Sequence, residues 1–134
     1  MTVSVNTCCT DQPFDLQISY QQFLAREPET TGTVVFHHGK VKYPGKQVPR
    51  FRDVLLAPVV ADPAAALELI GRQAAETFDL HQVLIVHRQG VVQAGDDVLL
   101  VIVSAATRKP AFDACAWIVD QIKQEMIITL RERT

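Results

Sequence analysis

Two strongly apolar runs near the middle of the chain place the tightest constraint on its fold. The runs are Val83–Val86 and Val98–Val103, and the connection between them contains Gly90 and Gly95. Short continuous apolar runs bounded by glycines are typical of buried strands, so we predict strands over 82–88 and 97–104. Buried strands need helices or a second sheet to cover them.

Two helical patterns provide that cover. Asp62 and Pro63 combine a capping side chain with the proline favoured at the first helical position, and they predict a helix that runs to about residue 78. Gly71 weakens this helix by about 1 kcal/mol relative to alanine, and we interpret it as a point of close packing against a sheet. A second helix is predicted over 110–126, with Cys115 in its buried stripe and Trp117 beside that stripe.

The other segments carry weaker patterns. We predict a helix over 14–25, strands over 33–42 and 48–56 joined by a turn at 43–46, and a final strand over 127–133. Residues 1–13 are polar, and we expect them to be loosely held. This order predicts one domain over 1–134 of the α/β or α+β class, in which helices cover a mainly antiparallel sheet.

Composition excludes several classes of partner. A net charge of −2 argues against a nucleic-acid partner, and no apolar run approaches the ~18 residues that span a bilayer. The first six residues lack the pattern of a signal peptide. An odd cysteine count that includes the adjacent Cys8 and Cys9 indicates reduced thiols and a cytoplasmic protein. The role of this adjacent pair stays open, and we predict neither a metal site nor a cofactor.

The four histidines carry no metal-binding pattern. His37 and His38 are adjacent in a predicted strand and point to opposite faces, so one ion cannot easily bind both. We expect one of them to be partly buried and hydrogen-bonded, and the other to lie at the surface. His87 is expected to form a hydrogen bond at a strand end, and His81 to lie in a loop.

Arg108 is the best single candidate for chemistry. It follows the second apolar run, in a turn that leads into the helix at 110–126. The free N–H groups of a helix start favour anions, so an arginine there can help to bind one. A solvated turn cation explains Arg108 equally well.

Four segments together carry a family resemblance. In this order they resemble the large, catalytic subunit of molybdopterin synthase, over about residues 13–132. The resemblance implies an α/β hammerhead fold, a homodimer and a ubiquitin-like small subunit, whose C-terminal thiocarboxylate gives sulfur to cyclic pyranopterin monophosphate. The segments are Gly39-Lys40-Val41-Lys42; His87-Arg88-x-Gly90 followed by Gly95-Asp96; Arg108 with Ala111-Phe112-Asp113-Ala114; and Asp120 with Lys123.

Such a reaction brings two anions, a phosphate and a thiocarboxylate, into one pocket, which therefore needs several fixed cations. The resemblance assigns this role to Arg108 and Lys42, although the family carries arginine where Lys42 stands. Thr107 occupies a position that is usually histidine, and its hydroxyl cannot carry a proton at neutral pH. Arg131 is a candidate replacement cation for phosphate.

The resemblance also places the catalytic lysine at Leu130, and a further functional lysine beyond Thr134. An aliphatic side chain cannot act as a nucleophile or a base, so we expect synthase activity to be impaired. The alternative is a non-catalytic, dimeric binding or regulatory protein on the same fold. A homodimer is expected from the resemblance, and we expect exposed aliphatic residues such as Leu55, Leu56 and Val59 to be compatible with a dimer contact.

Overall fold

A four-stranded sheet forms the centre of the molecule in the computed structural model, which describes residues 3–134. Its strands are β1 (Ser4–Thr10), β2 (Thr33–Lys40), β4 (Gln82–Arg88) and β6 (Asp97–Ala105), in the spatial order β1-β4-β6-β2. β1 is parallel to β4, and the other two pairings are antiparallel. The two apolar runs therefore form the inner strands of this sheet, as their composition predicts.

A second sheet of three strands lies beside the first. It consists of β3 (Asp53–Pro58), β5 (Gly90–Val92) and β7 (Ile128–Arg133), in the order β5-β3-β7. All of its pairings are antiparallel. Val54 and Leu56 of β3 and Val92 of β5 are buried in the main core.

Three helices cover the central sheet, namely α1 (Leu16–Leu24), α2 (Pro63–Phe78) and α3 (Arg108–Ile122). Apolar residues of α2 and α3 share the main core with Val83, Ile85 and Val101 of the sheet. Phe23 of α1 packs in a smaller core against other strand residues, Val86 and Leu100 among them. The mixed α+β class predicted from the sequence is confirmed.

Helix α2 begins and packs as its sequence predicts. The Asp62 carboxylate accepts a hydrogen bond from the Ala65 N–H at 3.1 Å, and Pro63 follows it in the first turn. Gly71 faces the sheet, because a Cβ placed there would lie 2.7 Å from Cγ1 of Val5 and 3.4 Å from Cγ1 of Val83. Close packing at Gly71 is therefore confirmed.

The expectation that residues 1–13 are loosely held is wrong for most of that segment. Residues 4–10 form β1, which pairs along its whole length with β4, whereas residues 1 and 2 lie outside the described part. β1 was missed because its sequence is polar and only Val5 in it is buried. The three-residue β5 was also missed, because it is too short to show a period.

Two other boundaries differ from prediction. The strand expected over 48–56 begins only at Asp53, and it pairs with β5 and β7 instead of returning alongside β2. Helix α3 begins at Arg108 and ends at Ile122, so it starts earlier and stops sooner than the predicted 110–126.

Of the aliphatic residues considered for a dimer contact, Leu56 is almost fully buried and offers no such contact. Across residues 3–134, no helix combines the length and apolar character needed to cross a bilayer.

Candidate functional site

The predicted cations do not form one cluster within the chain. Arg108 is the first residue of α3 and is exposed, with Thr107 capping the helix before it. Among the described residues, the Thr107 hydroxyl has no backbone N–H partner in a capping bond. Since α3 has 15 residues, its two ends are about 22 Å apart. Arg108 and Thr107 therefore stand far from anything at the C-terminal end of this helix.

Another lysine, Lys123, lies at the C-terminal end of α3, and its sequence position alone gave it no functional role. Lys123 is the exposed C-cap residue of α3, and its ammonium acts on the half-buried His37 of β2. Burial lowers the pKa of His37, and the positive charge of Lys123 and the neighbouring His38 lower it further. The charge of Lys123 therefore favours the neutral form of the His37 imidazole. The only sign of Lys123 in the sequence was the family resemblance, which included Asp120 and Lys123 among its matching residues.

Lys42 lies near the same end of the central sheet. It follows β2 in the chain and is exposed. Across residues 3–134, its ammonium has no carboxylate within ion-pair distance. Lys42 is therefore free to bind an anion from solution.

Leu130 lies against the edge of the main core. It is half-buried, packs against the main core and pairs with Leu56 across β3 and β7. Its backbone N–H donates to the Glu125 carboxylate, and its carbonyl accepts from the Gln47 amide at 3.0 Å. These contacts give Leu130 a packing role.

Arg131 does not join Lys42. Adjacent strand residues point to opposite faces, so Arg131 lies on the face of the three-stranded sheet opposite to Leu130 and Glu132. It stands across from Leu55 and is exposed. The Glu132 carboxylate, on the other face, accepts hydrogen bonds from the loop that follows Lys42.

The histidines at strand ends are hydrogen-bonded. Nε2 of His38 lies 2.6 Å from a carboxylate oxygen of Asp97, and Nδ1 of His87 lies 2.7 Å from the carbonyl oxygen of Arg88. The structural role expected for His87 agrees with this contact. Neither His37 nor His38 is a surface residue, since both are half-buried. The expectation of one surface histidine is therefore wrong.

Cys9 and Cys115 are not arranged as nucleophiles. The Cys9 thiol donates to the Gln89 side chain at 3.2 Å, and burial, followed by the neighbouring Cys8, raises its pKa. Burial raises the pKa of Cys115 to about 11. Within the described range, no three or more His, Cys, Asp or Glu side chains are grouped to hold a metal ion.

Comparison with known proteins gives a consistent result. The family described as MoaE protein matches residues 9–125. The molybdopterin synthase catalytic subunit of Pyrococcus abyssi is 35% identical over 124 residues, covering 92% of this chain and 82% of that protein. The Haemophilus influenzae protein of the same name is 34% identical over 133 residues, covering 92% and 81% respectively.

Solved structures show the same fold. The molybdopterin biosynthesis MoaE protein of Burkholderia ambifaria superposes with a TM-score of 0.82 at 25% identity, covering 97% of this chain and 84% of that chain. The molybdopterin synthase of Staphylococcus aureus gives a TM-score of 0.79 at 26% identity, covering 92% and 88%. Nearly all of the chain is therefore accounted for by these relatives.

Proposed function

Because this chain belongs to the MoaE protein family, we propose that it is the catalytic subunit of a molybdopterin synthase. Its role then lies in molybdenum cofactor biosynthesis, where it transfers sulfur from a thiocarboxylate to a phosphorylated pterin. The match to relatives named as catalytic subunits carries this proposal. A catalytic subunit works with another subunit, so we expect a small partner that brings the thiocarboxylate. The free thiols favour the cytoplasm.

The amine for this reaction is Lys123. Leu130 stands where a catalytic lysine was expected, but it is half-buried and packs against the core. Lys123 is exposed, its charge favours the neutral form of the His37 imidazole, and a lysine can both bind an anion and exchange a proton. Arg131 cannot exchange a proton. The presence of Lys123 removes the main reason for expecting a non-catalytic protein.

The complete site requires two copies of the chain. Arg108 and Lys123 are about 22 Å apart along one helix, which is too far for one small substrate. If α3 packs antiparallel against its copy about a two-fold axis, Arg108 of one protomer faces Lys123 of the other. Ala116 lies midway between the two and is exposed, and Phe112 beside it is 60% exposed. A small residue at the crossing point lets two helices approach closely.

A complementation experiment tests the site and the dimer together. We expect homodimers of Arg108→Ala and of Lys123→Ala each to lose at least about 100-fold in product formation. When the two variants are co-expressed, about half of the dimers are mixed, and each mixed dimer holds one intact site. Product should then return to about a quarter of the wild-type level.

The assay combines this chain, a thiocarboxylated small subunit and the cyclic pterin, and measures the dithiolene product. Arg131→Ala serves as a control that should stay active. If the co-expressed variants remain inactive, the two residues do not share a site across a dimer. A wild-type protein that yields no product with active partners would leave the non-catalytic binding protein as the function.

A further inference from the structure

One carboxylate fastens the loop after Lys42 to β7. An oxygen of Glu132 accepts from the backbone N–H of Lys46 at 2.9 Å, and the other oxygen accepts from the N–H groups of Gln47 and Val48, the latter at 2.7 Å. Three successive backbone donors therefore point at one side chain. Such an arrangement is an anion-binding concavity of the main chain, filled here by the protein's own acid.

The Gln47 side chain adds a second attachment. Its amide nitrogen donates to the Leu130 carbonyl at 3.0 Å, and its oxygen accepts from the Glu132 N–H at 2.9 Å. Gln47 thus bonds the outer edge of β7 much as a neighbouring strand would. The loop lies against β7 through both its main chain and a side chain.

The loop is also shaped around the Glu132 carboxylate. A Cβ at Gly45 would lie 2.2 Å from the Val48 carbonyl oxygen and 2.5 Å from a Glu132 oxygen. Only glycine fits that approach. The Tyr43 ring packs edge-on against Phe51, with ring centroids 5.1 Å apart.

The attachment leaves Lys42 available. Glu132 is satisfied by backbone donors, and across residues 3–134 it forms no contact ion pair with a lysine or an arginine. Burial acts to raise the pKa of Glu132, but the backbone donors and the positive charge of Lys42 lower it. Lys42 begins the loop and follows Val41, whose N–H donates to the Asp96 carbonyl at 2.9 Å. One side of Lys42 is thus fixed by Val41, and the other by the loop that Glu132 holds.

We propose that Glu132 is a positioning residue of the sulfur-transfer site, which holds the Tyr43–Val48 loop on β7 and thereby fixes Lys42 for the substrate anion. The binding role of Lys42 rests on the proposed function. The attachment of the loop does not, so the two can be tested separately. Glu132 touches no reacting atom and acts through Lys42.

The first experiment measures amide hydrogen exchange in the purified chain by NMR. Glu132→Gln puts an NH₂ group against one set of backbone donors, so the amides of Lys46, Gln47 and Val48 should lose at least tenfold in protection. Glu125→Gln is the matched control, because it makes the same charge change and contacts β7 without touching the loop. In this control, the protection of the loop amides against hydrogen exchange should stay as in the wild type.

The second experiment measures binding and turnover. In Glu132→Gln, the affinity for inorganic phosphate, followed at the Lys42 amide, should fall about tenfold. The KM for the cyclic pterin should rise by a similar factor, while kcat changes less than threefold. Gly45→Ala disrupts the same attachment from the loop side. It should also lower the phosphate affinity and raise KM while changing kcat little, even if Glu132→Gln folds poorly.

Unchanged protection of the loop amides in Glu132→Gln would overturn the proposal, and so would a fall in kcat with KM and phosphate affinity unaltered. An inactive wild-type protein would contradict the proposed function instead. In that case the exchange and phosphate measurements still decide the role of Glu132, because neither requires turnover.

Discussion

Asp53 is the buried acid whose titration should be visible in the stability of this protein. One carboxylate oxygen accepts from Nε of Arg133 at 2.6 Å, and the other from Nε of Arg52 at 3.2 Å. The bond from Arg133 lowers the pKa of Asp53, burial opposes this, and Arg52 lowers the pKa further. The contribution of Asp53 to stability is therefore full above about pH 4, the ordinary pKa of an aspartate, and is lost as the pH falls below it.

Asp53→Asn should consequently destabilise the protein clearly at pH 7 and much less at pH 3. Urea unfolding at the two pH values measures the difference between the variant and the wild type. Asp11→Asn is a control, since across residues 3–134 the exposed carboxylate of Asp11 accepts a hydrogen bond only from the neighbouring Gln12. An equal penalty of Asp53→Asn at both pH values would show that the ion pair with Arg133 does not lower the pKa of Asp53.

The functional roles of single residues could be predicted only where the residue type or a family motif indicates the role. Arg108 could be named because it is a cation that follows a predicted strand, and Lys42 was named through the family resemblance. Lys123 was included in the family resemblance but was given no role, since its influence on His37 arises only when α3 packs over β2. The role of Glu132 was also out of reach, because its partners are backbone N–H groups that every sequence contains.

At the scale of elements, the helix caps give a matched pair of substitutions. Asp62 caps α2 through its side chain, whereas Thr107 precedes α3 without such a bond among the described residues. Asp62→Ala should lower the free energy of unfolding by about 1 kcal/mol, and Thr107→Ala by less than about 0.5 kcal/mol. Thermal and urea unfolding measure both. Equal losses would show that the side-chain bond of Asp62 contributes nothing.

Gly71 sets two opposing effects against each other. Alanine raises helix propensity by about 1 kcal/mol, but its Cβ would lie 2.7 Å from Val5. Overpacking in a core costs about 1–3 kcal/mol, so Gly71→Ala should destabilise. In a Val5→Ala background the clash is removed, and Gly71→Ala should become neutral or stabilising. A double-mutant cycle of unfolding free energies checks this coupling.

Elements with a clear period were predicted well, and those set by tertiary contacts were not. Helix α2 and the strands β4 and β6 follow from capping residues and apolar runs. The start of β3 depends on the loop before it, whose backbone donors at 46–48 bond to Glu132 instead of joining a ladder. No local sequence pattern predicts that these N–H groups bond to a side chain instead of a neighbouring strand.

For the molecule as a whole, the proposed dimer makes a direct prediction. Ala116→Glu places two charges at the crossing point of α3 and its copy, so the protein should sediment as a monomer and lose activity. Because Ala116 is exposed in one protomer, the fold should keep its stability within about 0.5 kcal/mol. Leu69→Glu, at a position on α2 that is 72% exposed, is the control and should remain dimeric. A dimeric Ala116→Glu protein would place the interface elsewhere.

The class of fold could be predicted from alternating helix and strand patterns, but the division into two sheets could not. Residues 48–56 look like the return of a hairpin from β2, yet β3 joins β5 and β7. Which strands become neighbours depends on loop paths and on which apolar faces meet. The local sequence records neither.

The parallel pairing of β1 with β4 also bears on how this chain is made. Ser4 lies opposite Gln82, so the first strand to leave the ribosome has no partner until β4 has been synthesised. At ordinary translation rates that interval is roughly 4–16 s. Throughout it the nascent chain carries an uncharged strand whose backbone N–H and C=O groups remain open to pairing with other chains.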